Sequence, residues 1–215
     1  MIIYGSSLSP YVRKVLVVAS EKGVPFDLKT IGLGDPDPAF RAASPFGKMP
    51  ALVDGDYALS DSSAIAHYLE AKFPDPALIP ADAQQRGKVI WFEEFADTML
   101  MECGRKMFFN RVVAPRFLKR EGNAEVADKA EREELPPLLD YLEGALAGRD
   151  YLVGESLTLA DIAVASVLVN LEHCGAAVEA GRWPGVAAFG ARIHARPSFT
   201  AFLERERAAL ARPLA

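Results

Sequence analysis

Three prolines fall within the eight residues Phe73-Pro-Asp-Pro-Ala-Leu-Ile-Pro80. No helix interior or central strand accommodates that density, because each proline removes a backbone donor and clashes with the turn before it. The stretch marks a boundary, a short and stiff linker. Before this stretch, short β-type runs alternate with helical periodicity; from Ala83 onward only helical patterns occur. The sequence therefore predicts an α/β domain over residues 1–76 and an all-α domain over residues 84–215. Half of the 215 residues are hydrophobic, which suffices for a packed core in each.

Within the first domain, Met1 to Tyr4 reads as a buried strand and Gly5 to Ser9 as a loop. Pro10 then opens a helix with Val12, Val15, Leu16 and Ala19 on one face. Gly23 ends that helix, and Val24 to Ile31 holds a second strand parallel to the first, completing a βαβ unit. Gly32 to Phe46 reads as a loop with one short helix near Ala39 to Ala43. Ala51-Leu52-Val53 and Tyr57-Ala58-Leu59 flank Asp54-Gly55, the turn chemistry of a β-hairpin. A helix follows to Lys72, capped by Asp61 or Ser60 and burying Ile65, Tyr68, Leu69 and Phe73. The order is β-α-β-α-β-β-α.

In the second domain, Gln84 to Lys119 forms one long helical run carrying Trp91, Phe92, Phe95, Met99, Met107, Phe108 and Phe109. Ala124 to Ala147 is a second, in which Pro136-Pro137 predicts a kink or break unless the prolines start a new segment. Thr158 and Asp161 stand three apart before an apolar run, as a capping box. Helices over Pro184 to Ala195 and Ser198 to Leu210 close the chain.

Composition excludes several functions. A net charge of −5 and a pI near 5.3 give no electrostatic footprint for nucleic acid or an anionic membrane. Cys103 and Cys174 lie in no Cys-x-x-Cys, and His67, His173 and His194 lack metal-ligand spacing, so neither a disulfide framework nor a metal site is expected. Without a basic leader or an 18-residue apolar run, the sequence predicts a cytoplasmic protein.

The hairpin delivers Asp61-Ser62 to a helix N-terminus, where unpaired N–H groups suit a carboxylate, the Ser62 hydroxyl adds a donor, and Asp61 accepts from an ammonium. The pair fits an α-amino-acid end. Met49-Pro50 leads into the hairpin, and a cis bond there would turn the Met49 N–H and C=O toward a peptide ligand. Together, the Pro-led strand, Gly turn, second strand, Asp-Ser and amphipathic helix resemble the glutathione-binding half of the glutathione S-transferase family. The resemblance extends over the whole chain, with a thioredoxin-like first domain and the helical domain behind it. In that family the capping-box Asp, here Asp161, is a folding element.

The resemblance implies a glutathione co-substrate whose thiolate attacks a small hydrophobic electrophile. A hydroxyl in the first loop would lower the thiol pKa with help from the dipole of the Pro10 helix. Ser9, Ser7 and Ser6 are the candidates. Ser9-Pro10-Tyr11-Val12-Arg13 is similar to the Ser-Pro-Phe of the tau class and the Cys-Pro-Phe of the omega class, which favours Ser9; the zeta class, with its serine two positions earlier, points to Ser7. Tyr4, inside the strand pattern, reads as core, and the loop lacks the cysteine of omega-type thiol transferases. Lys48 is expected at the glycyl carboxylate. The electrophile pocket is expected between the first loop and the helix from Gln84, lined by Phe108 and Met107, with Arg105, Arg111 and Asn110 as polar candidates. The family also implies a homodimer. Two alternatives remain: a zeta-like isomerase of a maleyl-type diacid using Arg13 or Arg105, and a non-catalytic binding protein on the same fold.

Overall fold

The computed structural model describes residues 1–211, which fall into two units, Met1–Ile79 and a second beginning at Pro80. In the first, β1 (Ile2–Tyr4), α1 (Pro10–Glu21), β2 (Asp27–Lys29), α2 (Pro38–Ala43), β3 (Ala51–Asp54), β4 (Tyr57–Ser60) and α3 (Ser62–Lys72) follow in the expected order. The sheet runs β2-β1-β3-β4. β1 lies parallel to β2 and antiparallel to β3, so Ile3 sits between Leu28 and Leu52, and the hairpin pairs Leu52 with Leu59. The βαβ crossover puts α1 over the sheet, and α3 packs beside it.

Periodicity in α1 marks Val12, Val15, Leu16 and Ala19 as one buried face, and all four are buried. The helix is covered more widely than that stripe, because Arg13 and Lys14 are also 0% and 1% exposed. Lys14 Nζ donates to Ser63 Oγ on α3 at 3.2 Å. At the other end of α1, the buried Lys22 ion-pairs with Glu70 at 2.6 Å and donates to the carbonyls of Phe73 and Pro76 at 2.7 and 2.9 Å. Glu70 in turn accepts from the Leu78 and Ile79 amides at 3.2 Å. The proline stretch is thus strapped to α1 and α3 as far as Ile79.

The second unit is helical. α4 (Ala83–Glu94), α5 (Met101–Phe108) and α6 (Ala114–Phe117) join end to end through π-helical turns at Phe95–Leu100 and Phe109–Val113. α7 (Ala124–Lys129) continues through a third such turn, Ala130–Glu134, into α8 (Leu135–Leu146). Pro136 and Pro137 do not interrupt a helix; they begin the new segment α8, the second of the two outcomes the sequence allows. The π-helical turn re-phases the chain so that both prolines fall in the first turn of α8, where an amide donor has no intrahelical partner.

α9 (Leu159–His173) is buried from Leu159 to Leu171. Its start is fixed by Asp161, whose Oδ1 accepts from the Leu152 amide at 2.8 Å and whose Oδ2 accepts from the Thr158 amide and hydroxyl at 2.8 and 2.9 Å. α10 (Pro184–His194) is capped by Glu143, which takes the Gly185 and Val186 amides at 2.9 Å each. α11 (Pro197–Leu210) is held by Glu206, which faces His173 at 2.8 Å; His194 faces Glu172 at 3.1 Å. Both histidines sit against carboxylates.

Candidate active site

The sheet register brings three loops to one edge. Tyr4, the last residue of β1, pairs with Ala51, the first of β3, and Ala51 pairs with Ser60, the last of β4. The loop Gly5 to Ser9 leaves the first of these positions, Lys48-Met49-Pro50 enters the second, and Asp61-Ser62 leaves the third. With strands about 4.8 Å apart, β1 to β4 spans roughly 10 Å, which is about the reach of an extended tripeptide.

The first loop depends on Gly5. Its φ is +152°, and a Cβ there would meet Val12 Cγ2 at 2.5 Å, so only glycine lets the chain leave β1 so close to α1. Ser9 occupies the N-cap position of α1, donating its amide to Ser6 O and accepting from the Arg13 amide with its own carbonyl, both at 2.9 Å. Its hydroxyl, however, caps no amide of the helix. An N-cap serine ordinarily turns that oxygen onto the second or third amide. Here it stays available beside a helix start with no acidic residue in its first turn. Ser6, Ser7 and Ser9 are all partly exposed, whereas Tyr4 is 2% exposed with its ring 6.0 Å from Phe40, in the core as its pattern indicates.

The second loop is a turn over Ser44-Pro45-Phe46-Gly47, closed by the Gly47 amide on Ser44 O at 2.8 Å. Gly47 has φ +62°, and a Cβ would meet Arg41 Nη1 at 2.5 Å. The Ser44 hydroxyl accepts from the Lys48 amide at 2.9 Å and donates to the Lys48 carbonyl at 2.7 Å. Lys48 is exposed and Met49 half-buried, and the Met49–Pro50 bond is cis.

At the third, Asp61 holds φ +84°, a left-handed value unusual for a residue with a side chain. Its Oδ1 accepts from the Ser63 and Ala64 amides, both at 3.0 Å, which caps α3 and stabilises that backbone. Ser62, 4% exposed, supplies the first amide of α3, which this cap does not use.

The cations and aromatics expected on the helical side fare differently. Arg111 donates to Asp128 at 2.8 Å, to Glu131 at 2.5 Å and to Cys174 O at 3.4 Å, so it braces α7 and its continuation rather than facing a substrate. Asn110 accepts from the Asn123 amide at 2.8 Å and donates to Lys106 O at 2.7 Å, closing the loop before α7. Their polarity is used locally. Met107 is fully buried, Phe108 is 8% exposed, Arg13 is buried and Arg105 is exposed. Burial pushes the Cys103 thiol up to about 12 and raises that of Cys174, so neither is a thiolate near neutral pH.

Comparison with known proteins gives a consistent answer. The family description "Glutathione S-transferase, N-terminal domain" matches residues 3–77, and "Glutathione S-transferase, C-terminal domain" matches residues 108–206. Glutathione S-transferase 3 of Zea mays is 35% identical over 204 residues, covering 92% of this chain and 90% of that protein. The crystal structure of glutathione transferase F7 from Populus trichocarpa superposes with a TM-score of 0.84 at 28% identity, covering 94% of this chain and 97% of that one. A glutathione S-transferase from Methylobacillus flagellatus KT, solved with GSH bound, gives 0.79 at 30% identity, over 94% and 98% of the two chains.

Proposed function

The chain belongs to the glutathione S-transferase family, and from that premise we propose that it conjugates the thiolate of glutathione to small hydrophobic electrophiles. It is a glutathione transferase, with glutathione as co-substrate. The observation that carries the finer reading is the pairing of Tyr4, Ala51 and Ser60 across the sheet, which gathers a serine loop, a strand-entry backbone and a helix start within the length of a tripeptide.

On this reading Asp61 Oδ2 accepts from the γ-glutamyl ammonium, and the Ser62 amide and hydroxyl donate to its carboxylate. The Met49 backbone and Pro50 line the cysteinyl residue, and Lys48 meets the glycyl carboxylate. Ser9 donates to the sulfur, with Ser7 as the alternative donor. A hydroxyl and a helix N-terminus both favour the anionic thiol, so the enzyme's task is to hold glutathione as thiolate and bring the electrophile to it. No atom of the protein becomes covalently attached. The protein acts as a homodimer in the cytoplasm.

The test is a conjugation assay with glutathione and a generic aryl halide, following thioether formation. Turnover above the uncatalysed rate is expected. Binding of glutathione without turnover of any aryl halide, epoxide or enone would leave only the non-catalytic reading.

A further inference from the structure

The Ser44 hydroxyl is 1% exposed as part of its residue and makes both of its hydrogen bonds to one residue, Lys48, accepting from its amide at 2.9 Å and donating to its carbonyl at 2.7 Å. The carbonyl it holds belongs to the peptide joining Lys48 to Met49. That peptide is trans, since the cis bonds among the described residues are Met49–Pro50 and Asp75–Pro76. In a trans peptide the C=O and the N–H point in opposite directions within one plane. Drawing the Lys48 carbonyl toward the buried hydroxyl therefore turns the Met49 N–H the other way, outward from the turn. No hydrogen bond among the described residues takes up that N–H.

We infer that Ser44 is a positioning residue: by holding the Lys48–Met49 peptide plane, it aims the Met49 N–H at the carbonyl of the cysteinyl residue of glutathione. The inference rests on the proposed site, in which β3 lies between β1 and β4 and its entry faces the middle of the peptide. The hydroxyl is itself well fixed. The Ser44 amide donates to Phe40 O at 2.8 Å at the end of α2, and the Ser44 carbonyl closes the turn onto Gly47 at 2.8 Å. Without the hydroxyl, the peptide plane loses both restraints and the N–H no longer has one preferred direction. The orientation entropy then falls on the binding step.

The test compares two ligands on the full-length protein by titration calorimetry: glutathione, and its isostere with a trans alkene in place of the Cys-Gly peptide bond, which keeps the shape and lacks the carbonyl. Ser44→Ala is expected to weaken glutathione binding about tenfold, in line with one lost hydrogen bond of ordinary strength. It should weaken the isostere by no more than about twofold, and Ser44→Thr, which keeps the hydroxyl, should restore glutathione binding. Equal weakening of both ligands, or none for glutathione, overturns the inference, because a merely structural serine would not distinguish them. Should the alanine variant not fold, Ser44→Cys, nearly isosteric with a weak donor, is read by the same ratio. Wild-type protein that binds no glutathione would overturn the proposed site itself, a result distinct from binding that is insensitive to the carbonyl.

Discussion

A hydroxyl can act on a bound sulfur only where the chain does not already claim it, and that condition separates Ser9 from an ordinary N-cap. Its oxygen caps nothing in α1, although its backbone holds the N-cap position. Ser9→Ala should therefore raise the pKa of enzyme-bound glutathione by about one unit, which is about 1.4 kcal/mol of lost thiolate stabilisation and about tenfold in rate below that pKa. Ser7→Ala should shift it much less. The pH dependence of conjugation decides, and an alkaline shift in Ser7→Ala alone would move the donor two residues. At Asp61 the proposed site divides the two oxygens between structure and ligand, Oδ1 being occupied by the Ser63 and Ala64 amides. Asp61→Ala should raise the KM for glutathione more than that for the electrophile, while removing a cap of about 1 kcal/mol. Asp61→Asn separates the two roles, because its amide oxygen still caps while its charge is gone. Should Asp61→Asn keep the wild-type KM for glutathione, the ammonium contact is absent.

Elements were legible in the sequence wherever one local rule was enough. Pro10 and Gly23 bounded α1, Asp54-Gly55 closed the hairpin, and Thr158 with Asp161 opened α9, all at or within a residue or two of their places in the structure. What periodicity could not convey was covering by several neighbours at once, as for Arg13 and Lys14, or a re-phasing π-helical turn upstream of Pro136. The capping box carries a further consequence. Burial raises the Asp161 pKa from its ordinary 3.8 to about 6, outweighing the four hydrogen bonds that favour the anion. The folded protein then holds that proton more tightly than the unfolded chain. Stability from this group is fully present below about pH 4 and is lost as the pH rises through about 6, a span worth roughly 3 kcal/mol. Asp161→Asn should abolish that fall while losing part of the cap. Urea unfolding between pH 4 and 7 measures it, and an unchanged slope in the variant would sink the assignment. At the strap, Glu70→Gln leaves the Lys22 ammonium buried with carbonyls alone and should lower stability by about 3 kcal/mol. Glu70→Gln with the wild-type unfolding free energy would mean the strap contributes nothing.

At the scale of the whole molecule, the candidate site was readable as three separate fragments before it was readable as a place. Ser9, Met49-Pro50 and Asp61-Ser62 each carry a local signal, but only the register of β1, β3 and β4 assembles them. Ser44 lay within the Ser-Pro-x-Gly pattern of a type I turn, and that signal indicates a turn without revealing where its hydroxyl points. Arg111 and Asn110 were misread for the opposite reason: a polar residue on a helix looks equally free whether solvent or a neighbouring carboxylate meets it. The surface bears on assembly. Trp91 and Tyr141 remain 46% and 42% exposed while hydrogen-bonded to each other at 2.6 Å, and Tyr57, also 46% exposed, stacks on Tyr68 at 4.9 Å. Aromatic surface of this kind is enriched where protein interfaces form. If the protein is a homodimer, its mass by sedimentation should be twice 23.3 kDa, and its unfolding midpoint should rise with protein concentration, because association stabilises the folded chain by mass action. A mass of 23.3 kDa with a concentration-independent midpoint would refute the dimer. The glutathione site would survive that result, since every residue assigned to it lies within Met1–Ile79.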